Sequence, residues 1–146
     1  MKIKVERVDD PCETEITVRC SKSSDQETRA LLRQLSLYAG TVMGYRDGAS
    51  HKLARQDIFY IETVDEKTFF YLNSEVYETP LRLYEWEEKL RDTPFVRISK
   101  STILNTDKVS SVRPLLSGKL EAQLSNGEKQ VVNRHYVRGF REKFGI

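Results

Sequence analysis

The sequence predicts a mainly β protein, built of antiparallel sheets with a few short helices. Three observations carry that prediction. From Thr41 onward, apolar and polar residues alternate over most of the chain, which is the period of a half-buried strand. The turn dipeptides Asp47-Gly48, Asp65-Glu66, Ser117-Gly118 and Asn126-Gly127 interrupt those alternations at hairpin distances. Asn-Gly is the strongest of these signals, because both residues tolerate positive φ. Helical spacing shows in only three places, near 24–39, 81–91 and 134–144.

Taken in order, Lys2–Val8 alternates charged and apolar residues, with Ile3 and Val5 on one face. Asp10-Pro11 breaks that strand, and Glu15–Cys20 repeats the pattern with Ile16, Val18 and Cys20. Ser24-Asp-Gln-Glu27 is a capping-box sequence, which satisfies orphan amides at a helix start. Leu31, Leu32, Leu35 and Tyr38 follow at helical spacing, and Gly40 ends the element. Residues 1–46 therefore read as a strand–strand–helix extension and 47–146 as the main β domain. Strands are predicted over Thr41–Arg46, Ser50–Ala54, Ile58–Val64 and Lys67–Leu72. Thr79-Pro80 marks a helix start, with Thr as cap and Pro in the first turn. Its apolar stripe is Leu83, Trp86 and Leu90. Phe95–Ile98 is a short strand running into Ser99–Asn105; Val109–Leu116, Leu120–Leu124 and Lys129–Val132 form a meander; Val137, Phe140 and Phe144 mark the buried side of a last basic helix.

Composition limits function. The 146 residues carry a net charge of only +2, but residues 95–146 hold 10 basic and 4 acidic side chains while 47–94 hold 6 and 11. A basic segment attached to an acidic one favours a polyanion-facing surface. No apolar run approaches the roughly 20 residues a membrane span needs, and the N-terminus lacks a signal-peptide core, so the expected compartment is the cytoplasm. Cys12, Cys20, His51 and His135 have no common zinc spacing, and Cys12 and Cys20 read as buried small hydrophobes. No GxGxxG, GxxxxGK[ST] or GxSxG occurs. Neither an enzyme, a metal site nor a cofactor is expected.

Candidate chemistry concentrates in Phe95-Val-Arg-Ile-Ser-Lys-Ser-Thr-Ile-Leu-Asn105. Phe95, Val96 and Ile98 tie the backbone to a core, while Arg97, Ser99, Lys100, Ser101 and Asn105 offer donors suited to phosphate oxygens and base edges. Lys52 and Arg55 lie on an earlier polar strand and its exit. Asn133, Arg134, His135 and Arg138 sit at the last helix, whose first amides favour anions. The bland reading stands beside each cluster: solvated charge, a helix cap at His135, and a wet helix face at Glu85–Glu88.

These residues carry a resemblance. Asp57-Ile58-Phe59-Tyr60-Ile61-Glu62, Leu83–Leu90, the 95–105 run, Val109, Asn126-Gly127 and Val132-Asn133-Arg134-His135-Tyr136-Val137 resemble, in that order, the LytTR-type DNA-binding domain of bacterial transcription regulators. The family pattern F-x-R-x-H-x-S-x-x-V-N has Ser99 in place of His here, and the second Arg of its last helix is His135. The resemblance implies antiparallel sheets whose loops enter the major groove of double-stranded DNA and bend it. Its contact positions fall on Ser99, Lys100 and Ser101 and on Arg134 and His135, with His51, Lys52 or Arg55 a looser match to an early-strand site. It also implies a single-domain member with no receiver domain and, as for some such members, a small membrane protein as a restraining partner. A homodimer is expected because binding paired sites makes the second contact intramolecular, with residues 1–46 as the dimerisation element. The rival reading is a protein-interaction or oligomerisation module using the basic C-terminal face.

Overall fold

The computed structural model describes residues 2–9, 16–22 and 25–146. After helix α1 (Asp25–Ala39) come strands β1 (Thr41–Arg46), β2 (Ala49–Ala54), β3 (Tyr60–Val64), β4 (Lys67–Tyr71) and β5 (Val76–Thr79). Helix α2 (Leu83–Lys89) leads to β6 (Phe95–Arg97), β7 (Thr102–Asn105), β8 (Val109–Pro114), β9 (Leu120–Leu124), β10 (Lys129–Val132) and helix α3 (Val137–Phe144). One sheet has seven strands in the order β2-β1-β5-β4-β3-β7-β6, the other three in the order β10-β9-β8. Every pairing is antiparallel.

Two turns explain the hairpins. Asp47 and Gly48 have φ of 52° and 75°, and Asp65 and Glu66 have 50° and 66°. Two successive positive φ values give the twist that antiparallel neighbours need. They set Arg46 opposite Ala49 and Val64 opposite Lys67. The large sheet is then apolar on both faces. Ile61, Phe70, Tyr77 and Ile103 pack under α2 with Leu83, Trp86 and Leu90. On the other face Tyr60 and Leu104 pack against Leu120, Ala122, Leu124, Val132 and Phe140 of the small sheet and α3. Both covers explain why all four residues of β7 are buried. Trp86, Phe95 and Phe140 are core residues, as their spacing predicts.

Four expectations change. The sequence pattern does not reveal strand β5: Thr79-Pro80 ends this strand instead of starting a helix. Thr79 is buried, and its Oγ1 accepts the Trp86 indole N–H at 3.1 Å. The helix begins after Arg82, whose N–H is accepted by the Glu85 carboxylate at 2.7 Å, so Glu85 is a cap and not merely a wet face. No strand forms over 2–9 or 16–22, because a pair of short strands without a covered face is marginal in water. For the same reason Cys20 is exposed and not buried. The Asp10-Pro11 break, Glu15, the Ser24 cap, Cys12 and the side chain of Tyr38 lie outside the described residues. β1, counted with residues 1–46 in the sequence, is hydrogen-bonded into the large sheet through β2 and β5.

One pH effect arises at the sheet–sheet seam. The Tyr60 hydroxyl donates to Glu128 Oε2 at 2.9 Å, and Glu62 shares that seam. Burial, and next the nearby Glu128 carboxylate, raise the Glu62 pKa. A carboxyl whose folded pKa lies above its unfolded value stabilises the fold at low pH, and that contribution is lost as pH rises through the folded pKa. Glu62→Gln is therefore expected to stabilise the protein at pH 7.5 by about 0.5 kcal/mol, the scale of a solvent-screened charge interaction, and to do nothing at pH 4. Urea unfolding at the two pH values checks it.

Candidate nucleic-acid interface

The predicted 99–101 and 133–135 clusters, distant in sequence, come together. With Ser117, Lys119 and Tyr136 they line one concave site of about 600 Å³, formed by Ser99, Lys100, Ser101, Asn133, Arg134 and His135. None of the lining residues is acidic. Three connections build it: the β6–β7 loop, the β8–β9 turn, and the link from β10 to α3.

The β6–β7 loop is held from below. Ile98 is buried, and its N–H donates to Thr102 O at 3.0 Å, closing the hairpin. Thr63 N donates to Ser101 O at 2.9 Å, and Ser101 N donates to Ser99 Oγ at 3.2 Å. Arg97 sets the loop's shape. Its Nε donates to Ser99 O at 2.7 Å, its Nη2 to Lys100 O, and its Nη1 to Glu87 of α2 at 2.8 Å. Phe95 and Arg97 share the face of Ile103 (Arg97 pairs with it directly), so the guanidinium points towards α2. Arg97 thus holds the loop and Lys100 is exposed at its tip.

The other two connections dock onto this loop. Asn133 N donates to Ile98 O at 2.9 Å, tying the exit of β10 to the hairpin. Ser117 and Gly118 have φ of 65° and 75°. A Cβ on Gly118 would lie 3.1 Å from Arg134 Cδ, so the aliphatic stem of Arg134 runs over the bare glycine. Arg134 and His135 lie on a 3-10 turn, Arg134–Tyr136, and both are exposed. Among the described residues, no ion pair engages Lys100, Lys119 or Arg134. Cations without partners in an acid-free concavity attract anions. Sequence reading missed Ser117 and Lys119, since one Lys after a turn carries no local signal.

Four other predicted residues are not in the concavity. Asn105 is fully buried, with its Nδ2 donating to Ile58 O at 2.9 Å and its Oδ1 accepting from Asp107 N at 3.1 Å. It is a structural residue, which corrects its place among the DNA contacts. Arg55 lies against Gly40, where an added Cβ would meet its guanidinium atoms at 1.6–1.8 Å. A cation there suits the C-terminal end of α1. Arg138 is on the outer side of α3, 3.8 Å from Glu142. Lys52 is exposed on β2, at the opposite edge of the large sheet from β6.

Residues 48–145 match the model of the LytTR family, described as the LytTr DNA-binding domain. The chain belongs to the LytTR family. The chain is 32% identical over 94 residues to the sensory transduction protein LytT of Enterococcus faecalis, covering 64% of this chain and 39% of that protein. It is 28% identical over 131 residues to the transcriptional regulatory protein LytR of Staphylococcus aureus, covering 88% of this chain and 53% of that one. It therefore spans about half or less of these relatives. A solved LytTr DNA-binding domain of a putative methyl-accepting/DNA response regulator from Bacillus cereus superposes with a TM-score of 0.68 at 23% identity, over 73% of this chain and 97% of that one. That likeness establishes the LytTR fold for this chain. No helix among the described residues is long and apolar enough to cross a membrane, and no cluster of metal-ligating side chains occurs among them.

Proposed function

We propose that this LytTR chain is a cytoplasmic transcription regulator that binds double-stranded DNA sequence-specifically through the Ser99–Ser101 loop, Lys119 and the Arg134–His135 turn, in the major groove. The observation that carries this reading is the convergence of three cationic connections on one acid-free concavity. Lys100, at a hairpin tip, suits a base edge; Arg134 and Lys119, set back beside the Ser117-Gly118 turn, suit flanking phosphates. Lys52 extends the contact. Six inter-strand steps separate β2 from β6, about 29 Å at ~4.8 Å each. The helical repeat of DNA is about 34 Å, so both ends of the sheet reach successive grooves only if the duplex bends towards the protein. Binding as a homodimer to paired half-sites raises affinity, since the second contact is intramolecular.

Salt dependence tests this reading. If Arg134 and Lys119 each neutralise a phosphate, log K falls against log salt with a slope of about −2 or steeper per chain. Duplex binding by fluorescence anisotropy between 50 and 250 mM salt, with a selected site and a scrambled one, is the measurement. A salt-independent or sequence-blind result sinks the proposal in favour of a protein-interaction module.

A further inference from the structure

Residues 2–8 read Lys-Ile-Lys-Val-Glu-Arg-Val. They alternate as a strand does, yet form none in the single chain. Segments 2–4 and 16–20 lie along α1 around a cavity of about 540 Å³, bordered by Glu27, Thr28, Leu31 and Leu35. Ile3 is 84% exposed and Val5 73%. A β-prone segment with apolar side chains in water is a template for another strand, and its own charges state which strand fits.

Consider pairing with the same segment of a second copy. Parallel in register, Lys4 faces Lys4 and Glu6 faces Glu6, which is repulsive. Antiparallel and centred on Lys4 or on Glu6, the central pair is again a like-charge pair. Centred on Val5, the ladder sets Val5 against Val5, Lys4 against Glu6, Ile3 against Arg7 and Lys2 against Val8. Two-fold symmetry makes the Lys4–Glu6 pair occur twice. One face then carries Ile3 and Val5 of both copies in a continuous apolar row, with the Arg7 stems extending over the Ile3 side chains. A register shifted by one residue would mix the charged and apolar faces. Of these registers, the one centred on Val5 is the one without a like-charge pair.

We infer that a second copy of this chain docks on residues 2–8, antiparallel and centred on Val5, so that the N-terminal segment gains its ladder on dimerisation. This rests on the DNA-binding reading for the purpose of the dimer, not for its chemistry; the ladder forms without DNA.

The test uses the full chain without DNA, with Cys12→Ser and Cys20→Ser as background. Val5→Cys is expected to convert to a disulfide-linked dimer under mild oxidation, because facing residues of an antiparallel pair have Cα atoms about 4.5–5.5 Å apart, within disulfide range. Glu6→Cys, facing Lys4, is expected to cross-link several-fold less. In sedimentation equilibrium, Lys4→Glu and Glu6→Lys are each expected to weaken the dimer about tenfold or more, and the double exchange to restore it to within about threefold. Unchanged circular dichroism shows that the variants are folded. A monomeric wild type, equal cross-linking at 5 and 6, or no rescue by the double exchange overturns the inference. Binding of a single half-site, at protein concentrations below the dimer dissociation constant, reads the DNA surface separately. Its failure with the dimer intact overturns the DNA reading and leaves the ladder standing.

Discussion

Asn105→Ala is expected to lower the unfolding free energy by about 2–4 kcal/mol and to leave the DNA affinity of the folded fraction unchanged. The side chain is fully buried where β7 meets β3 and the following 3-10 turn, Thr106–Lys108. Its amide donates to Ile58 O and accepts from Asp107 N. Truncation strands one buried carbonyl and one partly buried N–H, each costing about 1–3 kcal/mol when left without a partner. The neighbouring bonds, Asn105 N to Phe59 O at 2.9 Å and Thr106 Oγ1 to Pro94 O at 2.7 Å, share the same junction and already use their own donors. Asn105→Asp is expected to cost at least as much, since a carboxylate would face the Ile58 carbonyl. Urea unfolding gives the first quantity, and anisotropy titration below the unfolding midpoint gives the second. A folded Asn105→Ala protein that loses DNA affinity would return this residue to the contact surface.

Asn105 also shows where sequence reading stops. Its motif position looks like exposed chemistry, because a period of two names the residues that share a face but not whether that face is covered. Here both faces of β7 are covered, by α2 with its core and by the small sheet with α3. The setting of Arg97 is hidden from the sequence for a related reason. Its parity with Phe95 directs it towards α2, yet only the fold reveals that Glu87 waits there. The β1–β2 hairpin is legible because Asp47-Gly48 specifies positive φ locally, and after β9 the glycine of Asn126-Gly127 alone takes it, at φ 90°. The terminal helix was legible because Phe140 and Phe144 stack at 5.5 Å from one turn to the next. Thr79-Pro80 misled because Thr before Pro suits a strand end as well as a helix cap: the residue before Pro is pushed to extended backbone in either case. Lys119 lies beyond reach of the sequence, since its place in the concavity depends on the Ser117-Gly118 turn approaching Arg134.

Lys100→Ala and Arg134→Ala are expected to differ in kind. Lys100 sits at the tip of a loop whose carbonyls at 99 and 100 are fixed by the Arg97 guanidinium, so its ammonium is presented from a rigid base. A side chain so placed is suited to guanine O6 and N7, and losing it should cost about 1–3 kcal/mol at the preferred site. Scrambled duplexes, which offer no matched base, should lose little. Arg134 is steadied instead by contact between its stem and Gly118, and it lines the concavity. A phosphate partner there is present in every sequence, so Arg134→Ala should weaken selected and scrambled duplexes alike and flatten the salt slope by about one unit. The measurement is a matrix of two variants, two duplexes and at least three salt concentrations, with circular dichroism confirming the fold. If Lys100→Ala weakens both duplexes equally, Lys100 is a phosphate contact and base reading must come from Ser99, Ser101 or His135. If neither variant changes affinity, the concavity does not face DNA, whatever binds elsewhere on the domain.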